Sequence, residues 1–321
     1  MFRVVILGND GMLVNLIAGT MDAKCKIVGV FRYERLNKNK LLMKIKDFIL
    51  PSDDYNYIKS CNLYEIEATS ANSEEFKNEL LSLHPDIVFV GTWGEKLKKE
   101  IIQLPKIAMI NVHPSLLPKY RGPNPYLETI RHLETRTGIT FHIMDENYDA
   151  GAILQQKTID IHLNDTGKEL KERTVQIVRQ EVNRLLCSLN DDFIIPVEQN
   201  ESLKTYYPQV KSDEVMLDFK KSAKEVSAHI RAFYPWTKTY FEYGKKFFVP
   251  CPYSLEILKN NTDIHEAGMI VDKSVKHNSI TVVCGDDKLL KMDKLKLYGR
   301  INKLFTKFYV DKFVHMGKKV F

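Results

Sequence analysis

Three residues in the first half of the chain are of the types that acyl transfer to an amine uses: Asn111, His113 and Asp149. A neutral amide N–H can stabilise an oxyanion. An imidazole held by a carboxylate can polarise a carbonyl and manage protons. Asn111 and His113 end the apolar run KIAMINV (106–112), and period-two alternation puts them on one side of that strand. Pro114 and Pro118 then stiffen the loop NVHPSLLPKYRG (111–122). Asp149 lies in the turn DENYDAG, which can swing it back to the same edge. No serine or cysteine is poised as a nucleophile, which favours direct attack by a substrate amine over an acyl-enzyme. His113, His132 and His142 lack paired ligand spacing, so no metal site is expected. Singly, each of the three has an ordinary structural use as a cap, a pre-proline histidine or a turn former.

The elements that must position them alternate. RVVILG (3–8), CKIVGVF (25–31), DIVFVG (86–91) and KIAMINV (106–112) are short continuous apolar strands. Helical patterns lie between them: FKNELLSL, with a capping-box start at Asn72 and Glu75, and EKLKKEII (95–102). This order predicts an α/β fold with a mostly parallel sheet covered by helices. Such sheets place ligands beyond the carboxyl ends of their strands, where Asn111 and His113 emerge. GITFHIM (138–144) and AILQQKTIDI (152–161) form a strand pair, and residues 166–189 a long amphipathic helix announced by Asn164, Asp165 and Thr166. Residues 190–208 are polar and poorly periodic. Beyond them come a short helix (222–233) and several strand-like runs, which predict a small β barrel or curled sheet. The expected domains are 1–190 and 206–321, joined by a linker over 191–205.

Bulk properties exclude several classes. The chain has 321 residues, 44% hydrophobic and 27% charged, as in ordinary globular proteins. No apolar run is long enough for a membrane span, and MFRVVILGND is expected to be a first strand rather than a signal peptide. The five scattered cysteines form no CxxC pair, which fits a reducing cytoplasm. The formal charge of +6 permits an anionic partner without demanding one.

NVHPSLLPKYRG followed by GITFHIMDENYDAGAILQQ (138–156) resembles the signature of the folate-dependent formyltransferases. That family includes methionyl-tRNA, glycinamide ribonucleotide and nucleotide-sugar formyltransferases. YYPQVKSDEVMLDFKKSAKEVSAHIRAFYPW (206–236) resembles the start of the C-terminal domain of the tRNA branch. The resemblance implies a Rossmann-like catalytic domain followed by a β-rich, OB-like domain. It implies 10-formyltetrahydrofolate as co-substrate, with 5-formyltetrahydrofolate as an inert analogue, and catalytic roles for Asn111, His113 and Asp149. It also implies that GTWGEKL (91–97) lines the folate pocket through Trp93, Gly94, Glu95, Lys96 and Leu97, with the hairpin 143–149, including Met144, as the other wall.

For the acceptor, the same resemblance places Asn9, Asp10 and Arg121 near the substrate. Gly8-Asn9-Asp10-Gly11 fails as a dinucleotide fingerprint. LGNDGML stands where tRNA formyltransferases carry a segment like MGTPEFA, and RGPNPY (121–126) looks more like the sugar branch. In residues 31–60, Leu41, Leu42, Ile45, Phe48 and Ile49 have helical spacing and are expected to form a buried face, leaving the basic residues on a solvated surface. The Lys-rich, aromatic-interleaved stretch 288–321 pulls toward RNA. The leading expectation is an amino-sugar acceptor, nucleotide-linked. tRNA is the second choice, another primary amine the third, and a non-catalytic binding protein the least favoured. A homodimer is admitted.

Overall fold

The computed structural model describes residues 1–190, 194–299 and 303–321. The chain divides into two compact units. One comprises Met1–Pro125, Arg136–Asp160 and Lys171–Pro208; the other comprises Tyr126–Thr135, Ile161–Leu170 and Gln209–Phe321. The second unit thus takes in two short segments that precede Gln209 in the chain.

The first unit contains β1 (Arg3–Gly8), α1 (Asp10–Asp22), β2 (Lys26–Arg32), α2 (Lys40–Ile49), α3 (Asp53–Ser60), α4 (Glu74–Leu83), β3 (Ile87–Gly91), α5 (Lys99–Ile102) and β4 (Ala108–His113). After α6 (Pro125–Arg131) come β5 (Arg136–Ile143), β6 (Ile153–Asp160) and α7 (Gly167–Asn190). The six strands form one sheet in the order β2-β1-β3-β4-β5-β6. β1 to β4 are parallel; β5 and β6 run antiparallel at one side. Period-two alternation sends Val4, Ile6, Phe89 and Ile110 to one face, where they pack with residues of α1 and α7. Val5, Leu7, Val88 and Met109 go to the other face, with Phe76 and Leu80 of α4. Both faces are therefore buried, which is why these strands read as unbroken apolar runs.

Three local expectations are corrected. The cap of α4 is Ser73, whose Oγ accepts from the N–H of Phe76, while Asn72 instead bonds Lys96 O and Lys98 N. The helix expected over 95–102 shrinks to Lys99–Ile102, because Glu95 turns back to the Ser70 hydroxyl and the Ala71 N–H. The apolar stripe of α2 is not buried: Leu41, Leu42, Phe48 and Ile49 are 67%, 64%, 88% and 72% exposed. Arg32, fully buried at the end of β2, is the reason. It needs carboxylates, and it bonds Glu65 at 2.5 Å and Asp47 of α2 at 2.5 Å. Turning Asp47 inward rotates the stripe, on the opposite side of the helix, to the outside.

The second unit contains α8 (Ala223–Phe233), β7 (Phe241–Tyr243), β8 (Lys246–Val249), β9 (Leu255–Lys259), β10 (Ile270–Ser274), β11 (Ser279–Val283), β12 (Lys288–Met292), β13 (Lys296–Leu297) and α9 (Lys303–Phe313). Ser222 and Glu225 form a reciprocal capping box at the start of α8. The strands make two antiparallel sheets, β10-β11-β12-β9 and β13-β8-β7. Their core includes Val226, Phe241, Phe248, Val282 and Leu290. β9 carries no reading in the sequence analysis: Leu255, Glu256 and Ile257 offer too little alternation to separate it from a loop. Residues 191–193 of the expected linker and 300–302 of the basic stretch lie outside the described residues.

Candidate active site

Parallel pairing of β3 with β4 carries Asn111 and His113 to the carboxyl edge of the sheet, and antiparallel pairing sets Asn111 opposite His142 and His113 opposite Thr140. The loop after β4 is stapled to β5. Thr140 Oγ1 donates to Ser115 O at 2.6 Å and accepts from Leu117 N at 3.2 Å. These bonds fix His113, which is only 4% exposed.

Asp149 sits in the turn after β5 with φ +54, the left-handed region that Asp tolerates better than most residues. The hairpin swings its carboxylate onto the β4 edge. Oδ1 accepts from Asn111 Nδ2 at 3.3 Å and lies 3.4 Å from His113 Nδ1, while Oδ2 accepts from Gly122 N at 2.9 Å. Gly122 has φ +113, and a Cβ there would stand 2.1 Å from Tyr207 O, so only glycine presents that N–H.

Two hydrogen bonds assign the ring protons. Tyr120 O can only accept, so His113 Nε2 donates to it at 2.9 Å. The other nitrogen, Nδ1, is left facing Asp149. His142 Nδ1 donates to Ile143 O at 3.0 Å, so its bare Nε2 accepts from Asn111 Nδ2 at 3.1 Å. Burial keeps His142 neutral by depressing its pKa to about 4, against the pull of Asp149. Both N–H bonds of the Asn111 amide are therefore engaged, one to a neutral imidazole and one to a carboxylate.

The sequence reading treats His142 only as a non-ligand. The available signal is register: a histidine on the strand paired with Asn111. Its Nε2 holds one N–H of the Asn111 amide. His142→Ala should lower kcat by about 10²-fold through loss of amide orientation. His142→Gln, which keeps an acceptor on that strand, should restore part of that loss; equal rates in H142A and wild type would remove the role.

Trp93, Glu95, Lys96, Leu97 and Met144 line a narrow cavity together with Asn111, His142 and Asp149. The aromatic wall is fixed by Phe31 and Tyr33, whose rings lie 5.5 and 5.3 Å from that of Trp93. Trp93 Nε1 is buried without a partner, a donor open to a polar ligand atom. Gly94 leaves room for Tyr33, since a Cβ there would lie 2.7 Å from its hydroxyl. The Glu95 carboxylate is committed to residues 70–71 and so positions the loop. The cavity measures about 70 Å³, below the usual range for ligand sites. Lys96 over the Tyr148 ring at 5.1 Å and the Lys99–Glu146 pair at 2.7 Å tie the two walls together.

The remaining sites expected from sequence are placed differently. Arg121 is 6% exposed and bonded to Gln199 at 2.7 Å and Glu201 at 2.5 Å. Gln199 in turn donates to the carbonyls of Asp149 and Gly151. Arg121 thus braces the Asp149 turn and has no bond to the three central residues. Asn9 is the residue before α1 and makes no side-chain cap bond, while Asp10 pairs with Lys171 at 3.2 Å. Neither lines the cavity beside Asn111. The expected connector is not passive: Val197 pairs with Ile153, and Thr205 Oγ1 accepts from Tyr120 N at 2.8 Å.

A half-buried imidazole of the second unit sets an acid limit on stability. His229 of α8, its ring tilted against that of Phe233 at 4.6 Å, is depressed to about 4 by burial and then by Arg131. Between pH 4 and 6.5 the unfolded chain binds a proton that the folded chain refuses. Stability therefore rises with pH across that window and is lost on acidification through it, by about 3 kcal/mol for His229. Unfolding midpoints between pH 7 and 4.5 should fall, and His229→Phe should flatten the slope; an unchanged slope would contradict this.

The α/β sheet thus presents Asn111, His113 and Asp149 together at its carboxyl edge. The chain belongs to the formyltransferase family: the family profile, Formyl transferase, matches residues 3–185, and the profile of the formyl transferase C-terminal domain matches residues 209–303. Methionyl-tRNA formyltransferase of Thermotoga maritima is 35% identical over 168 residues, 52% of this chain and 54% of that protein. That of Alkaliphilus oremlandii is 27% identical over 310 residues, 93% of each chain. That of Francisella tularensis is 32% identical over 222 residues, 69% of this chain and 68% of the relative. Solved structures share the fold. An N-formyltransferase from Helicobacter canadensis, in complex with folinic acid and dTDP-3-aminofucose, superposes with a TM-score of 0.68 at 19% identity, covering 93% of this chain and 100% of that one. The sugar 3N-formyl transferase WlaRD, in the presence of dTDP and 5-N-formyl-THF, gives 0.65 at 17% identity, covering 94% and 99%. No helix among the described residues is long and apolar enough to cross a membrane.

Proposed function

We propose that this protein transfers the formyl group of 10-formyltetrahydrofolate to the primary amine of a nucleotide-linked amino sugar, in the cytoplasm. The observation that carries formyl transfer is the meeting of Asn111, His113 and Asp149 around one carboxylate oxygen, Asp149 Oδ1. The narrow cavity beside them has Trp93, Leu97 and Met144 on its wall among polar residues that include Glu95, Lys96 and Asp145, with Trp93 Nε1 as an open donor. When bound, the folate would supply an activated formyl carbon: the acceptor amine would bond to it, the carbon–N10 bond would break, and tetrahydrofolate would leave with a proton on N10 in place of the one the amine sheds.

The resting bonds distribute the roles. His142 holds one N–H of the Asn111 amide, so the other, resting on Asp149, is the one able to turn to the formyl oxygen. There it stabilises developing negative charge. The Nε2 proton of His113 is committed to Tyr120 O, so proton traffic at that ring runs through Nδ1, which faces Asp149. Asp149 is the acceptor for the proton that the attacking amine must shed, and the Gly122 N–H keeps its carboxylate in place.

For the acceptor, the lysines of the segment after β2 argue for a sugar. Lys40, Lys44 and Lys46 pair with Glu75, Glu67 and Glu34, so acidic partners offset much of the positive charge that a phosphate backbone would meet there. The full-length likeness to sugar formyltransferases points the same way. Formylation of methionyl-tRNA is the second reading, favoured by relatives aligned over 93% of their length. A panel of nucleotide-linked amino sugars and methionyl initiator tRNA, each incubated with the protein and 10-formyltetrahydrofolate, decides between them by product mass. Formylated sugar supports the proposal; formylated tRNA alone overturns the acceptor.

A further inference from the structure

The second unit contains a cavity of about 750 Å³ that the chemistry above does not use. It is bounded by the end of α8 and the loop after it, the segment following β8, the turn between β10 and β11, the link from β12 to β13, and α9. Its wall carries Lys238, Lys276, His277, Lys294, Lys296 and Lys307, and neither Asp nor Glu lines it. Elsewhere in this unit lysines find acids: Lys288 pairs with Asp286 at 3.3 Å and Lys291 with Glu256 at 3.2 Å. The five lysines of the cavity have no ion-pair partner among the described residues. Like charges gathered on a concave surface repel one another and focus a positive potential, which an anion relieves.

The rest of the wall is built for a flat, partly apolar body. Ile230, Pro250, Leu295 and Leu297 are buried along it. Tyr234, Tyr253 and Tyr298 also line it, with Tyr234 and Tyr253 edge to face at 5.4 Å and the Tyr253 hydroxyl held by Glu169 at 2.8 Å. Asn278, 7% exposed, donates to Leu295 O, while its buried Oδ1 has no hydrogen-bond partner. A buried acceptor left unpaired costs stability unless something donates to it.

We propose that this cavity binds a nucleoside diphosphate. The phosphates lie among the lysines, the ring lies on tyrosine and aliphatic surface, and Asn278 Oδ1 accepts from a ring N–H. The volume is that of a site for one small molecule and not of a groove tracking a nucleic-acid strand. The assignment stands on the second unit alone and does not depend on which amine is formylated.

The test is calorimetric titration of the full chain with thymidine and adenosine diphosphates, compared with Lys276→Glu/Lys294→Glu and with Tyr298→Ala. All three positions are exposed, so thermal midpoints without ligand should match wild type. Binding should weaken by about ten-fold or more in the lysine variant, through loss of charge-assisted bonds, and measurably in Tyr298→Ala. Unchanged binding in the lysine variant, or no binding of either nucleotide, overturns the proposal. Pyrophosphate binding as tightly as the nucleotides overturns the ring assignment. A single-stranded RNA that displaces the nucleotides with higher affinity, and is lost with the same lysines, replaces the cavity by a nucleic-acid surface.

Discussion

Asp149→Asn should lower kcat by about 10³-fold with little change in folate affinity. The carboxylate is the hub of the site: it accepts from Asn111 Nδ2 and Gly122 N and faces His113 Nδ1. The amide is of the same size and keeps one oxygen for Gly122. It loses the charge proposed to receive the amine proton, and with its oxygen kept for Gly122 it turns an N–H toward the Asn111 amide, where an acceptor is needed. The turn itself should persist, because it is braced through backbone carbonyls by Gln199, which does not touch the Asp149 carboxylate. Steady-state rates, with circular dichroism as a folding control, check this. A loss of less than ten-fold would show that the carboxylate is a turn residue and nothing more.

The second large effect is expected at Asn111. Asn111→Ala removes the only side-chain amide bonded to Asp149 Oδ1 among the described residues, and should cost about 10²–10³ in kcat, the scale of one lost oxyanion donor. It also strands His142 Nε2 and Asp149 Oδ1, so a stability loss of about 1–3 kcal/mol should accompany it. The kinetic loss should sit in kcat, because the bond is made to charge that develops only during attack. A rise in KM at constant kcat would mean that Asn111 binds the ground state and does not stabilise an oxyanion.

The order of strands was readable because β1, β3 and β4 are buried on both faces and bounded by glycine, proline or polar residues. The convergence of Asn111, His113 and Asp149 was readable for a related reason: alternation fixes two of them on one strand, and a hairpin is short enough to return the third. His142 was not, because its role follows from cross-strand register, which no single strand records. The α2 stripe shows the complementary limit. Spacing identifies an amphipathic helix, but its rotation was set by buried Arg32, which demanded Asp47 and left Leu41, Leu42, Phe48 and Ile49 outside. Arg121 has the charge of a substrate ligand, yet the long reach from Gln199 and Glu201 makes it a brace. Residues 194–208 lack periodicity because scattered bonds to Ile153, Tyr120 and Arg121 hold them, with no repeated face to bury.

The central claim is direct transfer of a formyl group from folate to an amine at this site. It is tested most directly by giving the protein 10-formyltetrahydrofolate labelled in the formyl carbon, with a panel of nucleotide-linked amino sugars and methionyl-tRNA, and then weighing both products and protein. The label should appear on the amine of an acceptor, the protein should gain no mass, and Asp149→Asn should suppress the product. Label trapped on the protein, or no labelled amine from any acceptor, would contradict it.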